Sequence, residues 1–142
     1  MSNKLLNGLA VTTLAVAMCL MFYFGYLLFW PFHPIDFLDG NFQTCKTVYH
    51  HGEPMCYRMH YNKYLQVPGE AIVYFVDGIM FQMPDMMTNN PMGLQDFTKI
   101  PFAVPNELPP GHYKMKMTVV YKVNPFREVE YTLESNYFDV VK

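Results

Sequence analysis

Cysteine side chains offer the most specific chemistry in this chain of 142 residues, which contains three of them. Cys45 and Cys56 flank the turn sequence His50-His51-Gly52, so they are predicted to lie on neighbouring strands. Both fall on the more polar strand face, and a bridge would close a loop of about 12 residues, worth about 3 kcal/mol. In an oxidising compartment we therefore expect a solvent-facing disulfide between Cys45 and Cys56, with two free thiols as the alternative.

A soft-metal site is the second chemistry that the residue types offer. Met, Cys and His together suit copper, and the run His50–His60 contains all three. A blue-copper site also needs a weak Met ligand shortly after its Cys and His, and none follows at that distance. Met55 and Met59 share one predicted core face, as do Met115 and Met117, so we interpret them as core residues and expect no metal or other cofactor. A domain that binds copper or another metal is the alternative.

The sequence carries no signature of catalysis or of nucleic-acid binding. Histidines, hydroxyls and carboxylates are scattered, and no Gly-x-Ser-x-Gly, His-Glu-x-x-His or phosphate-binding glycine loop occurs. A formal net charge of −2 gives no electrostatic attraction to a phosphate backbone. We therefore expect that the protein is not an enzyme and has no nucleic-acid partner.

An apolar segment near the N-terminus predicts a single transmembrane helix. The residues from Leu5 to Phe32 include no charge and no histidine, and a helix over Leu9–Phe29 would be about 31 Å long, close to the hydrocarbon thickness of a bilayer. Lys4 precedes the segment, whereas Asp36 and Asp39 follow it, so the positive-inside rule places the N-terminus in the cytoplasm and the rest outside. The apolar run is too long for a typical cleaved signal, so we expect an uncleaved anchor in the lipid bilayer.

Small side chains recur along this helix. Gly8, Thr12, Ala15 and Cys19 fall on one helix face and would allow a close contact with a second helix. Two interpretations stay open: the short side chains face lipid, or they form a transmembrane pairing face through which the chain makes a homo-oligomer.

Beyond the anchor, the hydrophobic pattern is that of β-strands. From Tyr113 to Val123 every second residue is apolar, and lysine and threonine dominate the positions between. Asp77-Gly78 between two apolar runs predicts a hairpin, and Pro109-Pro110-Gly111 predicts the turn before Tyr113. In many β-sandwiches a tyrosine at such a corner buries its ring and bonds its hydroxyl to nearby backbone, so we expect Tyr113 to anchor the fold.

These patterns predict an all-β fold, in which one N-terminal transmembrane helix precedes an immunoglobulin-like antiparallel β-sandwich. We expect a cytoplasmic stub and helix over residues 1–32, a short linker over 33–41 and an extracytoplasmic β-sandwich domain over 42–142. The only tryptophan lies in the apolar segment, so the Cys…Trp…Cys pattern of antibody domains is absent. The other predicted elements are the strand pair Phe42–Tyr49 and Met55–Tyr64, a loop at Pro84–Gly93, an edge strand at Phe97–Val104, and strands at Arg127–Leu133 and Tyr137–Val141.

Several short strings occur in order behind the anchor and together resemble a known group. They are Trp30-Pro31-Phe32-x-Pro34-x-Asp36-Phe37, Tyr61-Asn62-Lys63-Tyr64, Phe75-Val76-Asp77-Gly78-Ile79, Pro105-x-x-Leu108-Pro109-Pro110-Gly111-x-Tyr113, Tyr121-x-Val123-Asn124-Pro125-x-Arg127 and Phe138-x-Val140. Over nearly the whole chain they resemble a group of small single-pass membrane proteins encoded by tailed bacteriophages. The resemblance implies a bacterial host, an anchor in its inner membrane and a periplasmic domain, and it brings no catalytic residue. Members of that group often carry Tyr-Cys-Lys-Tyr at the second string, so the Cys45–Cys56 pairing is not taken from them.

The expected function is that of a binding module. We expect a membrane-anchored interaction module of a bacteriophage, displayed on the periplasmic face of the host inner membrane. Its partner would be an envelope or phage protein, and it would modify the host envelope. The alternatives are the metal-binding periplasmic domain and a membrane-associated virion protein.

Overall fold

The computed structural model describes residues 3–29, 33–77 and 79–142. Strands make up 58% of the structure, and one apolar helix lies at the N-terminal end. The chain divides into two compact units, one made of residues 1–32 with 124–127 and the other of residues 33–123 with 128–142. The elements are α1 (Asn3–Phe29), β1 (Ile35–Thr44), β2 (Val48–His50), β3 (Pro54–Lys63), β4 (Gly69–Asp77), β5 (Ile79–Gln82), β6 (Met86–Thr88), β7 (Gly93–Ala103), β8 (Gly111–Asn124) and β9 (Arg127–Val141).

The first unit contains α1, which has the length and composition to cross a membrane. Its segment Asn7–Phe29 has 23 residues and a mean hydropathy of 1.9. Most side chains of this segment are exposed, as suits a helix that packs against lipid. The last residues of the predicted anchor segment, 30–32, lie outside the described residues.

Two sheets form the second unit. β1, β3 and β7 make a small sheet in that order, and β2, β9, β8, β4 and β5 make a larger sheet, with β6 paired to β4. β3 pairs antiparallel with β7, with Met59 opposite Phe97. β4 pairs antiparallel with β8, with Val73 opposite Met117. Alternate side chains of these strands point to the inner face of each sheet, and the two inner faces share one buried layer.

That shared layer is the hydrophobic core. Phe75 of the larger sheet meets Phe102 of the small sheet edge to face, with ring centroids 5.8 Å apart. The buried residues of β8 alternate with half-buried or exposed neighbours, so the predicted strand pattern is confirmed. Those buried residues are Tyr113, Met115, Met117, Val119 and Tyr121.

The chain crosses from the small sheet to the larger one between β1 and β2. The single strand predicted over Phe42–Tyr49 is therefore wrong, because β1 ends at Thr44 and β2 pairs parallel with β9. Residues 45–48 are all exposed, so the two-residue alternation that keeps a strand in one sheet is lost over this stretch. The parallel pair makes the larger sheet mixed, which corrects the expectation of a purely antiparallel sandwich.

β9 is one strand of 15 residues, where the sequence predicted two, Arg127–Leu133 and Tyr137–Val141. Its buried positions are odd-numbered as far as Ser135 and even-numbered from Phe138 onward. A shift of one residue within a continuous strand is typical of a β-bulge. The Ser135 hydroxyl supports the ladder at this point by accepting a hydrogen bond of 2.9 Å from the Met115 amide.

Two predicted strand features agree with the structure. The strands of the Asp77-Gly78 hairpin are confirmed, since β4 and β5 pair antiparallel with Asp77 opposite Ile79; Gly78 itself lies outside the described residues. The edge strand expected at Phe97–Val104 is confirmed and begins earlier, at Gly93. In the described part of the chain β7 pairs only with β3, so its other edge is uncovered.

Two segments that were expected to be irregular contain strands. β6 lies inside the expected loop Pro84–Gly93, where Met86 pairs with Ala71 of β4. β1 begins inside the segment 33–41 that was expected to be a linker, and Ile35 at its start is 2% exposed. Both short stretches lack clear alternation, and their strand character depends on tertiary partners.

Tyr113 anchors the start of β8, as the sequence predicted. Its side chain is 4% exposed, and its hydroxyl donates a hydrogen bond of 2.8 Å to the carbonyl oxygen of Pro109. A Cβ atom at Gly111 would lie 3.2 Å from the Tyr113 ring, so glycine gives the ring room to fold back over the turn. The expectation for Tyr113 is confirmed.

We expect Tyr113→Ala to lower the free energy of unfolding by about 3–5 kcal/mol, because it removes a buried aromatic ring. Tyr113→Phe should cost about 1 kcal/mol, since it removes one hydrogen bond. Denaturant unfolding of the full chain in detergent micelles, followed by near-ultraviolet circular dichroism, measures both. The control is Lys116→Ala on the opposite face of β8, which should stay within about 0.5 kcal/mol of the parent chain. A loss for Tyr113→Ala no larger than for the control would contradict the face assignment of β8.

Candidate binding site

A small cavity lies between the inner faces of the two sheets. Its volume is about 60 Å³, which is room for the end of one apolar side chain rather than for a cofactor. Its walls are mostly aromatic rings and methionine side chains. They include Phe37, Tyr57, Met59, Phe97, Met117 and Tyr121.

Edge strands of both sheets border this cavity. β7, the outer strand of the small sheet, contributes Phe97 and Lys99, and β6 contributes Met86 and Met87. Met87 is 71% exposed, so it stands at the boundary between the cavity and solvent. The cavity therefore opens in the gap between the edges of the two sheets.

Lys99 brings a positive charge to this opening. Gln95, Phe97 and Lys99 are half-buried while the residues between them are exposed, so Lys99 lies on the inner face of β7. Its Nζ atom is 5.0 Å from the centroid of the Phe97 ring, which is a cation–π contact. Among the described residues, no carboxylate oxygen lies within 4.0 Å of this ammonium group.

Buried polar contacts hold the segment that follows β6 beside the opening. Lys63 is 2% exposed, and its ammonium group donates to the carbonyl oxygens of Val67 at 2.9 Å and Asn90 at 2.8 Å. The Asn90 side-chain amide donates in turn to the Tyr61 hydroxyl. Burial lowers the pKa of Lys63, and the two carbonyl oxygens stabilise its charge. These hydrogen bonds of Lys63 and Asn90 therefore fix the position of the segment that borders the opening.

The cavity wall offers binding rather than acid–base chemistry. Burial raises the pKa of the Tyr57 phenol to about 12 and also raises that of Tyr121, so both phenols are neutral at physiological pH. The described lining residues include no His, Cys, Asp or Glu. An apolar group can enter the cavity, and Lys99 can pair with an anion beside it.

β7 also exposes large apolar side chains on the face that points away from the core. Leu94 and Ile100 are each 65% exposed on its outer face. Between them, Asp96 accepts two hydrogen bonds from the Arg58 guanidinium of β3, at 2.9 and 2.7 Å. Pro101 has no amide hydrogen, so the stretch of β7 that can pair with another strand ends near Ile100.

The structure places Cys45 and Cys56 in a disulfide at the crossing between the sheets, with Cα atoms 5.5 Å apart. The Cys45 amide also donates to the Cys56 carbonyl oxygen at 3.0 Å. Inside the closed loop, the Tyr49 hydroxyl donates to the same carbonyl oxygen at 3.0 Å. Cys45 is exposed and Cys56 half-buried, so the bridge lies on the solvent side of the strands.

The residues considered for copper do not come together. Met55 and Met59 are buried in the core, which confirms their interpretation as core residues, whereas Cys56 is in the disulfide. The Nδ1 atom of His50 lies 3.0 Å from the Lys142 carbonyl oxygen, and the Nε2 atom of His51 lies 2.6 Å from the Leu108 carbonyl oxygen. In residues 3–29, 33–77 and 79–142 no group of three or more His, Cys, Asp or Glu could hold a metal ion.

The predicted pairing face of α1 lies on exposed helix surface. Gly8, Thr12, Ala15 and Cys19 are all exposed, and a Cβ atom at Gly8 would meet nothing within 4 Å. The Thr12 hydroxyl donates back to the Gly8 carbonyl oxygen within the helix. Self-association through this face stays a prediction.

Sequence reasoning did not find the cavity, although one signal was present. In β7 the charged Lys99 follows the apolar Phe97 by two positions, so both side chains point to the inner face of the strand. A charge in phase with the core of an edge strand indicates a position that reaches the rim. The edge position of this strand was predicted, but which strand of the other sheet lies across the gap from it could not be known without the sheet order.

Comparison with known proteins gives no family for this chain. No family model matches it, and no curated protein matches it at a significant level.

The double substitution Cys45→Ser with Cys56→Ser should lower the free energy of unfolding by about 3 kcal/mol, because the open loop gains conformational freedom when unfolded. Chemical unfolding of the full chain in micelles measures this loss, and Cys19→Ser is the control that should change little. Alkylation of the denatured parent chain should modify one thiol before reduction and three after it, given the single free Cys19. Three modified thiols without a reductant would contradict the disulfide.

Proposed function

We propose that this protein is a membrane-anchored binding module of a bacteriophage, displayed on the periplasmic face of the host inner membrane. The apolar span of α1 supports the anchor, and the ordered strings that resemble phage membrane proteins support the source and the host. The positive-inside rule supports an N-terminus in the cytoplasm and an extracytoplasmic β unit. In this role the β unit binds another envelope or phage protein and so modifies the host envelope.

The fold that we propose for the β unit is an immunoglobulin-like sandwich. Immunoglobulin domains place strands A, B and E in one sheet and strands G, F and C in the other, with C′ added in the variable type. Here β1, β3 and β7 form one sheet, and β9, β8, β4 and β5 follow in order in the other, which supports the assignment. The bond from the Tyr113 hydroxyl to upstream backbone at the start of β8 corresponds to the tyrosine corner of that fold.

The cavity opening between β7 and β6 is the observation that carries the binding role. A strand that pairs with the uncovered edge of β7 would run across this gap, with alternate side chains pointing inward. One inward side chain, if apolar, would fill the cavity of about 60 Å³. The next inward side chain, two positions away, would meet Lys99 if it were acidic.

Lys99 makes the proposed partner specific. An inward-facing lysine on an edge strand disfavours pairing with a wholly apolar strand, because its charge would lose water without gaining a partner. A strand that carries a carboxylate at that position avoids this cost. The partner is therefore an extended protein segment with an apolar and an acidic residue two positions apart.

A photo-crosslinking amino acid in place of Leu94 should capture this segment in infected host cells, because Leu94 is exposed on β7. Lys99→Glu should lower the adduct yield roughly tenfold, which corresponds to ~1.4 kcal/mol of lost binding. Mass spectrometry of the crosslinked peptide then shows whether the segment has the apolar–acidic pattern.

The matched control is Lys116→Glu, which makes the same charge change on the outer face of the larger sheet. The adduct yield should be unchanged in this variant. Equal losses in the two variants, or a captured segment with no acidic residue, would contradict strand addition at β7.

A further inference from the structure

The turn between β8 and β9 belongs to the same compact unit as α1. The side-chain amide of Asn124 donates a hydrogen bond of 2.9 Å to the carbonyl oxygen of Leu27. The rings of Phe24 and Phe126 meet edge to face, with centroids 5.8 Å apart. The turn is thus in contact with the last two turns of the helix.

The bond from Asn124 satisfies a group that the helix cannot satisfy by itself. The last four carbonyl groups of an α-helix have no partner within the helix, and Leu27 is two residues before the end of α1 at Phe29. Near lipid, such a carbonyl group has little water to bond, so a donor from another part of the chain is valuable. Asn124 therefore acts as a helix cap at the level where the helix leaves the apolar layer.

Phe126 lies at a defined depth along α1. Its partner Phe24 is five residues before the helix end, which is about 7.5 Å along the axis. Phe24 and Tyr23 belong to the aromatic end of the span, the composition that is typical of the layer between acyl chains and headgroups. Because the two rings are in contact, Phe126 is held at the level of that layer.

The turn also presents its ring in a preformed shape. The Asn124 side-chain oxygen accepts a hydrogen bond of 2.9 Å from the Phe126 amide, which closes an Asx turn around Pro125. Despite the contact with Phe24, Phe126 remains 57% exposed. Because the turn already holds this ring in place, its burial in an apolar layer would cost little conformational entropy.

From these contacts we infer that the turn Asn124–Arg127 is a second membrane contact, in which Phe126 inserts into the boundary between the acyl chains and the headgroups. The ligand is the phospholipid bilayer around α1, and the contact adds to the anchor that the proposed function requires. This inference rests on the proposed function for one premise, which is that α1 spans the membrane.

Tryptophan fluorescence in vesicles tests the inserted depth. The chain has a single tryptophan, so Trp30→Phe gives a background without one, and Phe126→Trp or Phe24→Trp then adds one reporter to the full chain. Each protein is reconstituted in phosphatidylethanolamine–phosphatidylglycerol vesicles with or without lipids brominated on the acyl chain near the headgroup. Bromine quenches tryptophan only at contact range.

We expect the Phe126→Trp chain to lose fluorescence to brominated lipid to a degree comparable with the Phe24→Trp chain, and to resist quenching by acrylamide in the water phase. Quenching of the Phe24→Trp chain with none for Phe126→Trp would overturn the turn contact and leave the anchor standing. Quenching of neither would overturn the membrane anchor itself.

A nitroxide label gives the same depth by an independent measurement. In a Cys19→Ser chain, Phe126→Cys leaves one free thiol for the label beside the Cys45–Cys56 disulfide. Oxygen should then broaden the label's signal more than a water-soluble nickel complex does. The reverse order would overturn the insertion, even if the bulkier tryptophan had disturbed the turn.

Discussion

Between β1 and β2 the chain leaves the small sheet and joins the larger one, and the groups around this crossing tie the two sheets together. The Cys45–Cys56 disulfide closes the loop that contains β2, and Tyr49 fills that loop from the core side with 0% exposure. The Asn136 side-chain oxygen of β9 accepts a hydrogen bond of 2.8 Å from the Thr44 amide at the end of β1. Backbone groups that leave one ladder need new partners when they are buried, and these contacts supply them.

The crossing lies on the opposite side of the β unit from the opening of the cavity. It joins β1 to β2, which are edge strands on one side of the two-layered unit. On the other side, β7 and β6 are bridged in the described chain by the short segment between them, which Lys63 and Asn90 hold in place. The cavity and Lys99 lie on that side, and so does the edge of β7 that no other described strand covers. The side at β1 and β2 is therefore closed by covalent and polar links, and the opposite side contains the opening at which we propose that a partner binds.

Much of the fold follows from periodicity that can be read along the chain. The alternation from Tyr113 onward predicted β8 and its buried face, and the Pro-Pro-Gly turn predicted the role of Tyr113. The crossing was not predictable in the same way, because β2 is only three residues long and owes its strand character to β9. In that pairing Tyr49 lies opposite Val140, 91 positions further along the chain. A proline within the strand predicted that β7 is an edge, but no local pattern encodes which strands lie next to it in space. The cavity, the role of Lys99 and the cap that Asn124 provides for α1 all depend on such distant contacts.

The roles proposed for β7 and for the turn at Phe126 both require that the β unit reach the outer side of a membrane through α1. The most direct measurement fuses one of two reporter enzymes after Lys142 in a bacterial cell. Alkaline phosphatase folds only outside the cytoplasm, and β-galactosidase is active only inside it. We expect an active phosphatase fusion and an inactive galactosidase fusion, with both proteins in the membrane fraction. An inactive phosphatase fusion together with an active galactosidase fusion would contradict the extracytoplasmic display of the β unit.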